Sequence, residues 1–329
     1  MKLTLAPAPH IHSPFSTRRI MIDVLIALIP AGILAVLMWG WYMLVLEIGS
    51  MVLAELLEFF IMRVFLKRKN FWPDGSAAVT GLLLAFNVPA GIPWWMLMVG
   101  VFIAVVVGKE VYGGIGNNPF NPALVGRLFM YISFPVAMTT WPKVDWLNFS
   151  RAAFNLQTTA TPLNVIKLHG VTAALQKFHN LPLNSFLGII PGSPGEMSVV
   201  ALVGGFLYLW WRGIVSYEIP AAYIGTTFIL SALFWMANPS AYIDPVTAIM
   251  LGGVMLGALF MATDPVTSPV TAKGKWIFGI GCGVITVLIR YIGAYPEGVN
   301  FAILLMNALV PFINQIAKPR VFGVVRKNG

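Results

Sequence analysis

Long apolar runs separated by short polar segments fill this chain, and they restrict its fold more than any other feature. Ten runs are long enough, or nearly so, to cross the roughly 30 Å hydrocarbon layer of a bilayer. Charged residues make up only 10% of the chain and hydrophobic residues 58%, whereas a soluble protein carries about 25% charged residues. The sequence therefore predicts an all-α, polytopic membrane protein with about ten transmembrane helices. The predicted spans are Met21–Met38, Tyr42–Val64, Gly75–Val88, Trp94–Val107, Asn121–Phe134, Val199–Trp211, Ile219–Met236, Ala248–Ala262, Trp276–Ile289 and Val299–Ile316.

Several of these runs are shorter than the usual ~20 residues, which is typical of short or broken helices surrounded by protein or a cavity. The lysines and arginines lie mainly at the ends of the runs, fourteen on the face that holds both termini and five on the other. This excess predicts cytoplasmic termini and explains the net charge of +9 without nucleic acid as a partner. The expected organisation is a cytoplasmic N-terminus (1–20), a first membrane repeat (21–135), an extracytoplasmic loop (136–198), a second repeat (199–317) and a basic cytoplasmic tail (318–329).

The two membrane halves share a motif. Tyr112-x-Gly114, six residues and Asn121-x-Ala123 recur as Tyr291-x-Gly293, six residues and Asn300-x-Ala302. By the span count the first copy begins on the inside and the second on the outside. That arrangement predicts two inverted repeats, which place their binding sites near the middle of the membrane.

A polar, glycine-rich string at membrane depth is a candidate binding segment. It runs from Gly113 to Pro122 and contains Asn117, Asn118 and Asn121. Asparagine amides both donate and accept hydrogen bonds without carrying charge, which suits the edge of a neutral heteroaromatic ring. A helix-breaking turn that only satisfies its own backbone remains the alternative, and a second polar break occurs at Asp264-Pro265.

Ionisable groups in membrane spans are costly, and each is therefore a candidate for function. Glu55 and Glu58 share one helix face, so they could handle protons or sodium, or pair with Arg63, Lys67 or a partner subunit. The single cysteine, Cys282, excludes an intrachain disulfide and an iron–sulfur cluster built by this chain alone. The carboxylates within or beside spans are Asp23, Glu47, Glu55, Glu58, Glu110, Asp244 and Asp264.

A short threonine cluster, Thr158-Thr159-Ala160-Thr161-Pro162-Leu163, lies in the large loop predicted outside the cytoplasm. Its hydroxyls stand on a polar stretch that Pro162 stiffens. Taken alone, the cluster is typical of an ordinary turn.

Four segments in order, Gly116–Ala123, Thr158–Leu163, Met261–Pro269 and Tyr295–Ala302, make nearly the whole chain resemble the D-subunit family of Rnf electron-transport complexes. That family is similar to the B subunits of sodium-pumping NADH:quinone oxidoreductases. The resemblance implies an FMN attached through its phosphate to Thr161, the acceptor position of the family's Ser/Thr-x-Ala-Thr motif. It also implies a second, non-covalent flavin, riboflavin, at Asn118 and Asn121, with Asp264 as a further candidate.

The function implied is that of a flavoprotein subunit in a ferredoxin:NAD oxidoreductase complex of a prokaryotic inner membrane. Such a subunit relays electrons while Na⁺ or H⁺ crosses the membrane, and the protein mainly binds and orients the flavins. The implied partners are the other Rnf subunits, including a second FMN-bearing subunit and iron–sulfur subunits, membrane lipid and a flavin-attaching enzyme. A channel or secondary transporter for a small neutral solute fits inverted repeats and broken helices equally well, and a structural scaffold without a cofactor is a third reading.

Overall fold

The computed structural model describes residues 16–68, 71–142, 158–178, 180–196, 198–293 and 295–318. Most of the expected N-terminal segment, residues 143–157 of the large loop and nearly all of the basic tail lie outside this part of the chain. The described residues are mostly helical, with one two-stranded antiparallel sheet. The helices are α1 (Thr17–Trp39), α2 (Trp41–Phe60), α3 (Ser76–Phe86), α4 (Trp94–Phe102), α5 (Pro122–Ser133), α6 (Pro135–Thr139), α7 (Pro162–Lys177), α8 (Leu181–Leu187), α9 (Val199–Trp211), α10 (Glu218–Ala237), α11 (Pro245–Met250), α12 (Val254–Leu256), α13 (Ala272–Tyr291) and α14 (Val299–Ile316), and the strands are β1 (Trp141–Pro142) and β2 (Thr158–Thr159).

In the described part of the chain, five helical segments are long and apolar enough to cross a membrane. They are α1, α10, α13, α14 and the stretch Trp94–Tyr112, which contains α4. Two shorter helices, α3 and α9, are also apolar. The all-α, multi-pass membrane fold expected from the sequence is therefore confirmed. The other predicted spans correspond to α2 with the π-helical turn Ile61–Phe65, to α5, and to α11–α12 with the π-helical turn Gly257–Met261.

The break between α11 and α12 shows how a span can be interrupted at membrane depth. Gly252 and Gly253 adopt positive φ angles of 65° and 71°, a region that favours glycine, and the helix restarts after them. The carbonyl groups that lose their helical partners at this break have other hydrogen-bond donors. The buried Arg290 guanidinium donates to the carbonyl oxygens of Ala248 at 2.6 Å, Leu251 at 2.6 Å and Gly252 at 3.1 Å, so protein groups take the place of the missing helical hydrogen bonds.

Two pairs of helices, each with one member from either half, run in opposite directions. Asp23, early in α1, accepts a hydrogen bond of 2.9 Å from the arginine that follows the end of α9. Further along α1, Ala27 lies against Gly205 in the middle of α9. Arg127, in the middle of α5, donates to Asn300 at the start of α14 at 3.0 Å. The backbone amide of Asn121, at the start of α5, lies 3.1 Å from the side chain of Asn307, seven residues further along α14. Both pairs are therefore antiparallel, as an inverted repeat requires.

The described residues of the segment between the halves form α6 to α8 and both strands, where the sequence suggested a polar loop. β1 pairs with β2, with Trp141 opposite Thr159 and Pro142 opposite Thr158. This pairing fixes the start of the threonine cluster beside the end of the first repeat. We call the end of the bundle that carries this cluster the Thr161 face, and the opposite end the Lys109 face.

Candidate functional site

A cavity of about 80 Å³ at the Lys109 face brings together three residues singled out in the sequence: Asn118, Asn121 and Asp264. The first two come from the glycine-rich string before α5, and the third comes from the polar break after α12. The remaining wall is mostly apolar, with polar groups from Ser76, Thr80, Lys109 and Thr263. The cavity therefore lies where the two halves of the chain meet.

Asn121 forms hydrogen bonds to both halves of the chain. Its side-chain oxygen caps α5 by accepting from the amides of Ala123 at 3.0 Å and Leu124 at 3.4 Å. Its side-chain nitrogen donates to the carbonyl of Met261 in the second half at 3.2 Å. Capping of this kind stabilises a helix by about 0.5–2 kcal/mol, so the asparagine has a structural task of its own. Asn118 is also buried, and it donates to the carbonyl of Phe120 at 3.0 Å.

Asp264 closes a turn beside the same cavity. Its carboxylate accepts from the Val266 amide at 3.2 Å and the Thr267 hydroxyl at 3.1 Å. Burial raises the pKa of this carboxyl. The turn follows the π-helical turn Gly257–Met261, and a second one, Ile103–Val107, precedes Lys109. Such turns are frequent at functional sites, and the apolar residues that form them gave no sign of either.

Lys109 is a residue that no sequence pattern singled out. Its ammonium group contacts the Glu58 carboxylate, donates to the Ser76 hydroxyl at 2.6 Å, and lies 3.9 Å from Glu110. The sequence left open whether Glu58 handles ions or pairs with Arg63, Lys67 or a partner subunit, and in the structure it contacts Lys109, 51 residues away. Glu55, on the same helix, instead accepts from the Ala78 amide at 3.0 Å. A lysine at the end of an apolar run was the only available signal.

A second cavity, about 50 Å³, lies at the Thr161 face and is lined by Thr161, Arg127 and Glu297 among others. Thr161 caps α7, where its hydroxyl accepts from the Asn164 amide at 3.3 Å, and it is only 5% exposed. Of the other two threonines in the cluster, Thr158 is exposed and Thr159 half-buried, and both belong to β2. Thr161 is thus the one threonine of the cluster that both caps a helix and faces this cavity.

Arg127 connects the two halves of the protein beneath this cavity. Its guanidinium donates to the side-chain oxygens of Asn87 at 2.6 Å and Asn300 at 3.0 Å, and to the Glu297 carboxylate at 2.7 Å. The planar guanidinium holds several donors in fixed directions, so one side chain joins α5 to the end of α3 and the start of α14. Asn300 and Glu297 stand in the segment Tyr295–Ala302, but no motif in the sequence pointed to Arg127 or Asn87.

Lys167 forms hydrogen bonds that hold α7 against the end of α13. Its ammonium group donates to the carbonyls of Arg290 at 3.3 Å, Gly293 at 2.6 Å and Tyr295 at 2.7 Å, at the carboxyl end of α13, where a cation is favoured by the helix dipole. Burial lowers the pKa of this lysine. The helix that begins at Thr161 therefore has a fixed position.

Two other carboxylates singled out in the sequence have structural partners. Asp23 accepts from Arg212 and Tyr208, and Asp244 caps α11 by accepting from the Thr247 amide at 2.9 Å. Cys282 is buried and free. Within the described residues, no group of three or more His, Cys, Asp or Glu side chains is placed to hold a metal ion.

Known proteins resemble this chain over almost its whole length. The sequence profile of the NQR2, RnfD, RnfE family matches residues 4–323. The chain belongs to this family. The D subunit of the proton-translocating ferredoxin:NAD(+) oxidoreductase complex of Clostridium ljungdahlii is 42% identical to it, over 98% of this chain and 97% of the relative. The D subunit of the Na(+)-translocating ferredoxin:NAD(+) oxidoreductase complex of Acetobacterium woodii is 40% identical over 99% and 97%, and the D subunit of an ion-translocating oxidoreductase complex of Escherichia coli is 35% identical over 98% and 99%.

The residues at the Thr161 face suit the phosphate that resemblance to the family's D subunits implies. A phosphate ester on Thr161 would lie at the amino end of α7, and helix amino ends favour anions because their amide groups point outwards. Arg127 lines the same cavity, but it is paired with Glu297 at 2.7 Å, so the pair adds no net charge to the wall. The low exposure of Thr161 means that the first turn of α7 has to be displaced, or not yet packed, when a bulky group is attached.

The Lys109-face cavity suits a neutral ring in its chemistry but not in its present size. Its amides, hydroxyls and apolar walls match a flat, uncharged heteroaromatic molecule. Ligand sites for molecules of that size usually measure about 300–1,000 Å³, whereas this cavity measures about 80 Å³. Binding a flavin there requires side chains along the wall to move.

Proposed function

We propose that this chain is the D subunit of an ion-translocating ferredoxin:NAD oxidoreductase complex in a prokaryotic cytoplasmic membrane. The observation that carries the proposal is the near full-length relation to the D subunits of such complexes at 35–42% identity. The helical membrane fold agrees with it. The chain shows no dinucleotide fingerprint and no cysteine cluster, so the other subunits of the complex bind ferredoxin and NAD and carry the iron–sulfur groups.

The proposed contribution of this subunit is to hold flavin in the electron path, since flavins supply one- and two-electron chemistry when bound. FMN is attached to the Thr161 hydroxyl, where the amino end of α7 is available to stabilise its phosphate. A second flavin, riboflavin, binds at the Lys109-face cavity, where Asn118, Asn121 and Asp264 meet. A second FMN-bearing subunit and a flavin-attaching enzyme are the partners that this arrangement requires.

The proposed orientation has both termini and the Lys109 face in the cytoplasm, and the Thr161 face outside it. The distribution of lysine and arginine between the two faces supports this orientation. It predicts that a cysteine introduced near Thr158 is labelled by an impermeant thiol reagent added to intact cells. A cysteine introduced at Asn117, which is exposed on the other face, is labelled only after the membrane is opened, and the reverse result contradicts the orientation.

Mass spectrometry tests the attachment site. After expression together with the flavin-attaching enzyme, the peptide containing Thr158–Lys167 is expected to carry the mass of one FMN, less water. Thr161→Ala abolishes the added mass, Thr161→Ser retains it, and the matched control Thr159→Ala leaves it in place. An unmodified peptide from the wild-type protein, or full modification of Thr161→Ala, contradicts the proposal.

Flavin released by denaturation tests the second site. Covalent flavin stays with the protein after denaturing filtration, whereas riboflavin passes into the filtrate. Asn118→Ala is expected to lower the filtrate flavin at least several-fold, while Asn117→Ala, an exposed neighbour outside the cavity, leaves it unchanged. A colourless wild-type protein that binds a small solute would instead favour the transporter reading.

A further inference from the structure

Glu47 occupies an isolated position inside the membrane domain. It lies in α2, is 6% exposed, and has one carboxyl oxygen, Oε1, without any hydrogen-bond partner among the described residues. Its side chain lines a cavity of about 360 Å³ between α1, α2 and α3. Every other described residue around this cavity is apolar, including Leu28, Leu82 and Phe86.

The helix opposite leaves room for this carboxyl group. Gly32 of α1 faces Glu47 so closely that a Cβ added there would lie 3.2 Å from Oε2 and 3.5 Å from the Phe86 ring. Any larger residue would press on the carboxyl group. The glycine therefore leaves the space between α1 and α2 that the Glu47 carboxyl group occupies.

The charged groups on the elements packed around Glu47 are distant along their helices. On α1 they are Arg18, Arg19 and Asp23, all within its first two turns, whereas Gly32 lies in its second half. On α2 they are Glu55 and Glu58, eight and eleven residues on, or about 12 Å and 16 Å along the helix axis. Neither α3 nor α4 contains an acidic or basic residue. The turn Pro194–Glu196 packs against α1 and α3, but Glu196 does not line the cavity.

A lone carboxylate in such surroundings would be unstable. An unpaired charge in an apolar interior costs several kcal/mol even after relaxation, and in the described part of the chain no basic side chain lines the cavity. A metal ion such as Ca²⁺ or Mg²⁺ requires about six oxygen ligands, and Glu47 is the only described residue with side-chain oxygen at the cavity. Ser50, one turn away, donates to the backbone carbonyl of Glu47 at 2.8 Å and not to its carboxyl group. A proton is the cation that this site can hold.

We propose that Glu47 is a proton-binding site within the membrane that is loaded at rest and exchanges its proton during turnover of the complex. The proposal rests on the proposed function, since it assigns this subunit a proton that moves as the complex works. In the exchange, the O–H bond of the carboxylic acid breaks and the proton passes to a water molecule that enters the cavity. The water that has entered solvates the resulting carboxylate and hydronium ion, which the apolar walls alone could not stabilise, and the reverse step reloads the site. The cavity is bordered by exposed apolar side chains such as Ile29, Ile33 and Ile48, so hydrophobic reagents in the membrane can reach the acid.

A hydrophobic carbodiimide, which adds to protonated carboxyl groups, tests the resting state in the whole purified complex. The adduct is expected on the peptide that contains Glu47, and it is lost in Glu47→Gln and kept in Ser50→Ala. Sodium ions should not protect the site. Absence of the adduct, or protection by sodium, overturns the proposal. This readout needs no electron transfer, so it can fail or succeed independently of the proposed function.

Infrared spectroscopy and proton uptake test the exchange. The wild-type complex is expected to show a carbonyl band of a protonated acid that is lost in Glu47→Gln and shifts in D₂O. In proteoliposomes driven by reduced ferredoxin and NAD⁺, Glu47→Gln lowers proton movement per electron at least two-fold, while Ser50→Ala does not. Folding is checked by thermal melting, which should be unchanged in Glu47→Gln because one neutral group replaces another. A band that does not shift in D₂O, or unchanged proton movement, overturns the proposal.

Discussion

Replacing Arg127 by methionine is expected to destabilise the membrane domain by about 3–5 kcal/mol, the usual cost of removing one partner from a buried ion pair. The guanidinium makes three hydrogen bonds of 2.6, 3.0 and 2.7 Å to Asn87, Asn300 and Glu297. Without it, two buried amide oxygens and one carboxylate lose their partner, and each unsatisfied group costs about 1–3 kcal/mol. Arg127→Lys should lie between methionine and wild type, because an ammonium group keeps the charge but cannot span three acceptors.

A double-mutant cycle measures whether this energy belongs to the network. Glu297→Gln alone is expected to cost about 1–3 kcal/mol, and the double variant less than the sum of the two, with a coupling of about 1–3 kcal/mol. Unfolding in mixed micelles with increasing denaturing detergent, followed by near-ultraviolet circular dichroism, gives the differences. Arg63→Met is the matched control, since Arg63 is exposed and its loss should change stability by no more than about 0.5 kcal/mol. A cost below about 1 kcal/mol for Arg127→Met, or additive effects, would show that the network does not hold the halves together.

Two further predictions concern contacts between elements. Gly205→Ala places a Cβ 2.1 Å from the carbonyl oxygen of Ala27 and should destabilise the α1–α9 contact by about 1–3 kcal/mol. The control is Gly204→Ala, whose Cβ meets nothing within 4 Å and which should be neutral or slightly stabilising. Equal melting temperatures for the two variants would contradict the contact. Lys167→Met removes three hydrogen bonds to carbonyl groups. It should speed amide hydrogen exchange in the first turn of α7 and the last turn of α13 at least ten-fold. Unchanged exchange in both turns would show that Lys167 does not hold the two helices together.

The membrane spans could be predicted from the sequence because the signal for them is local. Hydropathy over about 20 residues is enough to identify a transmembrane helix, and interruption by glycine or proline identified the short and broken ones. Gly252 and Gly253 break Ala248–Ala262, which is one of the runs shorter than 20 residues. What hydropathy did not supply was the residue that stabilises this break, because Arg290 is 38 residues away from Gly252.

The polar networks could not be predicted, because each depends on which helices pack together. That packing is not encoded in any one stretch of sequence. Arg127 appears in the sequence as a single charge in an apolar run, yet its three acceptors lie 40, 173 and 170 residues away. For Glu58 the sequence offered Arg63 and Lys67 among several alternatives, whereas the packing brings Lys109 to it. The helices α7 and α8 were missed because polar residues and Gly170, with a φ of 85°, obscure their pattern.

The helix α5 links the two candidate sites. Asn121 at its start lines the cavity at the Lys109 face, and Arg127, six residues later, lines the cavity at the Thr161 face. Six residues correspond to about 9 Å of rise along a helix, so the two cavities are separated by much less than the ~30 Å thickness of the hydrocarbon layer. Both residues also bond to the second half of the chain, through Met261 and Asn300. A displacement of α5 against the second half would therefore act on both cavities at once, which would couple the surroundings of the two proposed flavin sites.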